Sequence, residues 1–289
     1  MATRPEPILT IDPKHRVIEG VASDGKTIWI SSVLDRKILA CRSSCRTIAS
    51  LPPGLHPFAI ALDARTRTLW IAADCPPGVP AIRPCRRGAL VALDLRSGRV
   101  RMQLAPASPS FHPGDVSVLG TRIFASDSQN GAVYVLDRNS RDLRPLFKSG
   151  IGKSGQGIAL DASGKRLVVA DYSQGITTVD LATGERTILH KSDGRSQRGI
   201  DGLLRCGSTY YGIYNGEPEG ALLAMSPGRS DLHVEKVAEL KDPTQLTYDG
   251  KRMLLVAGSG WAELDKPDSE RVTGATILAV PAPGDCRTQ

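Results

Sequence analysis

The runs Phe58-Ala59-Ile60-Ala61-Leu62-Asp63, Leu69-Trp70-Ile71-Ala72 and Gly88-Ala89-Leu90-Val91-Ala92-Leu93-Asp94 are short, β-prone and separated by polar turns. Apolar runs of this length, bounded by turn residues, read as strands. The same three-part unit occurs five more times. Glu19-Gly20-Val21-Ala22 is followed by 27–32 and 37–40, and Gly114-Asp115-Val116 by 122–127 and 131–137. Gln156-Gly157-Ile158 leads to 167–171 and 175–180, Asp201-Gly202-Leu203 to 209–213 and 220–225, and Thr244-Gln245-Leu246 to 253–257 and 275–280.

The units start at Glu19, Phe58, Gly114, Gln156, Asp201 and Thr244, which are 39, 56, 42, 45 and 43 residues apart. A period of roughly 40–50 residues with several strands per unit is the mark of a β-propeller. The predicted fold is therefore all-β, a single six-bladed propeller domain over residues 1–289. A fourth, weaker strand per unit is legible in places, as in Arg99-Val100-Arg101-Met102-Gln103-Leu104. Ile8-Leu9-Thr10-Ile11 precedes the first unit and is expected to form the outer strand of the sixth blade, closing the ring and removing an open edge. Asp63, Asp94, Asp137, Asp161 and Asp180 end strands and read as turn residues whose carboxylates accept backbone N–H groups.

Composition narrows the function classes. The net charge is +7, but only 4 % of residues are aromatic and the basic residues are scattered through turns. Nucleic-acid binding would need basic residues clustered with stacking aromatics, so the charge reads as a solvated surface. No apolar run is long enough to cross a membrane as a helix. The expected partner is a small-molecule substrate, with no nucleic acid or membrane, and the expected state is a monomer.

Of the six cysteines, Cys75 and Cys85 bracket a Pro-rich stretch, Cys41 and Cys45 can close a small ring, and Cys206 and Cys286 can tie the C-terminus to a blade. An even count with two short-range pairs points to disulfides and an oxidising compartment, periplasmic or secreted. Six free thiols in a cytoplasmic protein is the alternative. No signal peptide is legible at Met1–Arg4, so an exported protein would have lost its leader.

In a propeller the innermost strand of each blade lines a central channel, so the six starting residues should ring one mouth. Loops 75–87, 191–199 and 258–274 are expected to wall it. Glu19, Gln156 and Asp201 would bring two carboxylates and an amide oxygen to that ring. Hard oxygen donors suit a divalent cation, Ca²⁺ first, with Mn²⁺, Mg²⁺ and Zn²⁺ as alternatives. The plainer reading makes Glu19 and Asp201 solvated turn residues or structural partners of Arg198.

Ile18-Glu19-Gly20, Gly155-Gln156-Gly157-Ile158-Ala159 and Ile200-Asp201-Gly202 resemble the gluconolactonase/SMP-30-like family, and the repeat pattern extends that resemblance over nearly the whole chain. The resemblance implies one divalent metal held by Glu19, Gln156 and Asp201, with Asp201 also moving a proton as the catalytic residue. Two positions depart from the family pattern. Gln156 stands where an Asn is usual, which carries its carbonyl about 1.5 Å farther from the backbone. In the third blade, where the family places a substrate-contacting Asn, this chain has His112-Pro113-Gly114-Asp115. His112 and Asp115 are the candidates to contact substrate there, Trp261 is a candidate platform, and Arg195 or Arg198 could meet an acidic substrate group.

The function these features imply is metal-dependent hydrolysis of a lactone or related ester. The rival is a non-catalytic propeller, similar to the NHL type, that binds a ligand or protein partner. His56-Pro57 and His112-Pro113 resemble the blade-opening turns of that group. An open, pocketed channel mouth would favour the enzyme, and a plugged channel the rival.

Overall fold

The computed structural model describes residues 4–75, 85, 87–108, 110–138, 140–147, 152–216, 219–229, 231–264, 266 and 274–286. The Pro-rich stretch 76–84 and residues 267–273 of the sixth-blade loop lie outside the described residues. Six four-stranded antiparallel sheets follow one another around an axis, forming a six-bladed β-propeller. The described residues contain no α-helix, only a 3₁₀ turn at Trp261–Glu263.

Each of the first five blades is a meander that runs outward in chain order. In blade one the strands are Ile18–Ser23, Ile28–Ser32, Lys37–Cys41 and Cys45–Ser50. The sixth blade takes Leu246–Tyr248, Arg252–Ala257 and Thr276–Pro281 from the C-terminal part of the chain and Glu6–Thr10 from the N-terminal part. The N-terminal strand thus closes the ring as anticipated, pairing antiparallel with Thr276–Pro281.

The second strand of each blade is sandwiched between neighbouring blades. Thr68–Asp74 is buried at every residue, which is why Leu69-Trp70-Ile71-Ala72 reads as a continuous apolar run and not as an alternation. Asp63, Asp94, Asp161 and Asp180 hold turns by accepting backbone N–H groups of Arg65, Arg96, Lys165 and Ala182 at 2.8–3.1 Å. Asp137 differs. It is exposed and lies 3.9 Å from the Arg144 guanidinium.

One irregularity recurs where each inner strand begins. In blades one to five a single extra residue is inserted in the register, between Ile18 and Val21, Pro57 and Ile60, Pro113 and Val116, Gly155 and Ile158, and Ile200 and Leu203. Such a bulge bends the strand and re-aims side chains. The bulged pairs are Glu19-Gly20, Phe58-Ala59, Gly114-Asp115, Gln156-Gly157 and Asp201-Gly202. N–H groups that leave the ladder here find substitutes. Gly20 N–H donates to Ser31 Oγ (2.7 Å), whose hydroxyl donates to Phe58 O in the next blade (2.6 Å), and Asp115 N–H donates to Ser126 Oγ (3.0 Å).

Three disulfides join Cys41 to Cys45, Cys75 to Cys85 and Cys206 to Cys286. The last ties the end of the fifth inner strand to the segment after the sixth blade and encloses a sequence separation of 80 residues, against 10 and 4 for the others. Loop-closure entropy makes it the strongest constraint on the unfolded chain, about 4.5 kcal/mol against about 2.7 and about 1.9. Replacing Cys206 and Cys286 together by Ser should therefore lower the melting temperature more than the same change at Cys41 and Cys45. Non-reducing peptide mapping should recover all three pairs from the native protein.

Candidate functional site

All six starting residues, Glu19, Phe58, Gly114, Gln156, Asp201 and Thr244, line one cavity of about 1030 Å³ at a mouth of the channel. In blades one to five the bulge puts them there, while Thr244 lies just before the regular inner strand Leu246–Tyr248. The first residue of each bulged pair turns toward the mouth, while the second sits one step deeper. In blades one, two, four and five that second residue is Gly or Ala, because the inner strands pass too close for more. A Cβ on Gly157 would stand 2.6 Å from Leu203 N, and one on Gly202 would stand 2.1 Å from Gln245 Oε1.

Blades three and six differ, carrying Asp115 and Gln245 at the deeper position. These blades face each other across the axis, and Gln245 Nε2 donates to Asp115 Oδ1 (3.2 Å). Asp115 Oδ1 also accepts Val116 N–H (2.8 Å), and Gln245 Oε1 accepts Leu246 N–H (3.0 Å). The pair spans the channel as a buried polar bar. Both residues line a second cavity of about 610 Å³ at the opposite end, and neither lines the first. The upper cavity is open outward and floored at the level of this bar.

Glu19 and Asp201 are half-buried, each with one face on the upper cavity. The Trp261 indole N–H donates to Glu19 Oε2, and Asn215 Nδ2 donates to Asp201 Oδ2. Neither carboxylate has a Lys or Arg ion partner among the described residues. Desolvation pushes the Glu19 carboxyl well above the ordinary range, and the charge of Asp201 adds to the shift. Desolvation also raises Asp201 to about 7, partly offset by the Asn215 hydrogen bond. Asp115 is likewise at about 7, again through desolvation first. Asn215 Oδ1 is buried with no hydrogen-bond partner among the described residues.

Gln156 connects the two departures noted in the sequence. Its Oε1 lies 2.5 Å from where a Cβ on Gly114 would stand. The longer side chain brings its amide oxygen over the bare Cα of Gly114, into the space a side chain there would need. Glu19, Gln156 and Asp201 are thereby brought into a single wall of two carboxylates and one amide. Among the described residues no three His, Cys, Asp or Glu side chains cluster to hold a metal.

The other candidates fall in different places. Trp261 lines the cavity and stacks on Phe58, with ring centroids 6.2 Å apart and planes at 20°. Asp115 lies in the channel floor, below the cavity. His112 Nδ1 is 2.9 Å from Asp74 Oδ2; Asp74 lines the cavity and His112 stands behind it. Arg198 is exposed and not part of the lining, and Arg195 is held by Asp193 (2.8 Å between Nε and Oδ2). The loop 191–199 contributes no residue to the wall. Its place is taken by Asn215, Gly216 and Glu219 and by the segment Glu239–Thr244. Asn215 and Glu219 occupy the second-to-third-strand loop of blade five, whose composition carries no motif that would have singled them out.

No family model and no curated protein matches the sequence. Solved structures do match by shape. A luciferin-regenerating enzyme superposes with a TM-score of 0.69 at 11 % identity, covering 98 % of this chain and 97 % of that one. A gluconolactonase from Xanthomonas campestris gives 0.63 at 15 %, covering 98 % of both chains. A chain of a mitotic checkpoint complex gives 0.61 at 11 %, covering 98 % of this chain and 95 % of the other. The likeness is one of fold, and it spans proteins of unrelated roles.

Two tests follow from this geometry. Gly114→Ala should destabilise the protein, and less so when Gln156 is shortened to Asn. The double-mutant cycle should show coupling of about 0.5–3 kcal/mol, read by denaturant unfolding. In metal-free protein, Asp115 and Asp201 hold their protons up to about pH 7 when folded but only to 3.8 as free carboxyls. Their contribution to stability is complete below pH 3.8 and is lost as pH rises through 7. The melting temperature should fall from pH 5 to pH 8, and Asp115→Asn should flatten that slope.

Proposed function

We propose that this chain is a divalent-cation-dependent hydrolase of a lactone or related ester. The observation that carries the reading is the convergence of Glu19, Gln156 and Asp201 on the wall of one open cavity. Two desolvated carboxylates whose charges repel, with no basic partner among the described residues, fit a hard cation better than they fit each other. A bound divalent cation, Ca²⁺ first and Mn²⁺, Mg²⁺ or Zn²⁺ otherwise, would supply carbonyl polarisation and substrate orientation.

The chain's own groups divide the remaining work. Asp201 accepts the proton of the attacking water and returns it to the departing oxygen. Asn215 holds Asp201 Oδ2 and so fixes which carboxylate oxygen faces the cavity. Trp261 fixes Glu19 through its indole N–H and, with Phe58, forms an apolar wall that limits water around the reacting group. The disulfides are compatible with an oxidising compartment, and we place the protein in the periplasm or outside the cell on that ground.

The experiment begins with metal-stripped protein. Added Ca²⁺, Mn²⁺, Mg²⁺ or Zn²⁺ should raise the melting temperature, since the folded state binds preferentially. A panel of lactones and esters with each metal then identifies turnover. On any substrate found, Asp201→Asn should keep the fold and part of the metal affinity while losing roughly 10²- to 10⁴-fold in rate. Glu19→Gln should weaken metal binding, with some activity recovered at high metal. No stabilisation by any of the four cations, together with no turnover on the panel, would leave the non-catalytic binding propeller as the reading, and full activity in Asp201→Asn would remove Asp201 from the proton transfer.

A further inference from the structure

The chain as a whole is basic, with a net charge of +7, yet its upper cavity is lined by six carboxylates, Glu19, Asp74, Asp201, Glu219, Glu239 and Asp242. Lys241 is the one basic residue among the described lining. Glu239 is paired with Lys236 (2.6 Å), which leaves five carboxylates against Lys241, and a divalent cation at Glu19 and Asp201 would still leave the wall net negative. Low-dielectric walls around a concave surface focus such a field and concentrate counter-charged solutes.

Two features independent of the carboxylates point the same way. Phe58 and Trp261 form a stacked aromatic pair on the cavity wall, and Tyr172, 36 % exposed, lines it as well. Aromatic faces attract ammonium groups through the ring quadrupole. Asn215 Oδ1, buried beside the same cavity, is an acceptor without a donor among the described residues. The arginines that could have met an acidic substrate are elsewhere: Arg198 is outside the lining and Arg195 is bound to Asp193.

We infer that the upper cavity takes a substrate bearing an organic cation, a primary or quaternary ammonium, seated against the Phe58–Trp261 pair and facing the acidic wall. The inference rests on the reading of this cavity as a substrate site and names the charge class of that substrate. An anionic substrate would enter against the field of the wall. A neutral one would leave most of its carboxylates unused.

The probe is choline, compared with its uncharged carbon isostere 3,3-dimethylbutan-1-ol and with gluconate, at saturating Ca²⁺. Calorimetry on the full chain reads affinity directly and needs no turnover. Choline should bind at least about tenfold tighter than the isostere, the ratio expected from about 1.4 kcal/mol of charge-specific contact. Raising the salt from low to high should shrink that ratio. Phe58→Leu keeps an apolar wall but removes a π face, and should cost choline roughly 2- to 30-fold while sparing the isostere. Glu219→Lys, an exposed change, should cut choline affinity with no change in melting temperature.

Equal binding of choline and isostere, binding of neither, or a preference for gluconate would overturn the inference. So would choline binding to metal-stripped protein that vanishes at saturating Ca²⁺, since the probe would then occupy the Glu19–Asp201 wall alone. Choline binding without hydrolysis of any ester would keep the cation site and defeat the hydrolase. Lactone turnover indifferent to substrate charge would do the reverse.

Discussion

Six inner strands converge on one axis, and five of them do so only with an irregularity at their start. The irregularity is the bulge of blades one to five. It bends the strand, turns one side chain toward the mouth, and forces the next residue to be small wherever a neighbouring strand lies close. Gly157 and Gly202 show the constraint most sharply, since either Cβ would stand less than 3 Å from an adjacent inner strand or its side chain. The chemistry of the mouth and the packing of the axis are therefore set by the same two-residue step.

The exceptions to the small-residue rule are as informative as the rule. Asp115 and Gln245 are admitted at the deeper position because they oppose each other across the ring and fill it together. Their bar divides the channel into two cavities of different character. The lower one has eight Val, Ile and Leu residues in its lining and sets Arg65 and Arg138 among its four Asp, whereas the upper one has only Leu240 of that type and six carboxylates. Burying a carboxylate without a partner is costly, and proteins meet that cost by protonation, by pairing or by binding a cation. At Asp115 the hydrogen bonds from Val116 and Gln245 offset part of it. At Glu19 and Asp201 the donors are Trp261 and Asn215, which orient the carboxylates without neutralising them.

The architecture was legible in the sequence because a propeller repeats one local pattern. The six starts, the buried middle strands and the closing N-terminal strand all follow from periodicity and strand propensity, which are short-range properties. The two local cysteine pairs were legible from spacing, whereas the joining of Cys206 to Cys286, 80 residues apart, is decided by the structure. The convergence of Glu19, Gln156 and Asp201 could also be anticipated, since equivalent positions in a repeat must occupy equivalent places around the axis.

What the repeat could not convey is anything that depends on which blade lies opposite or beside which side chain. The fit of Gln156 over Gly114 joins two residues 42 positions apart that sequence alone presents as unrelated departures. The indole hydrogen bond from Trp261 to Glu19 crosses 242 residues, and the bar from Gln245 to Asp115 crosses 130. The acidic wall is assembled from loops with no shared motif, so its charge opposes that of the whole chain and is invisible in composition. The sequence by itself determined the fold and the ring of inner-strand residues, because these rest on local pattern repeated six times. Only the tertiary structure decided the depth, charge and partners of the site, because those are set by distances between blades that no local pattern encodes.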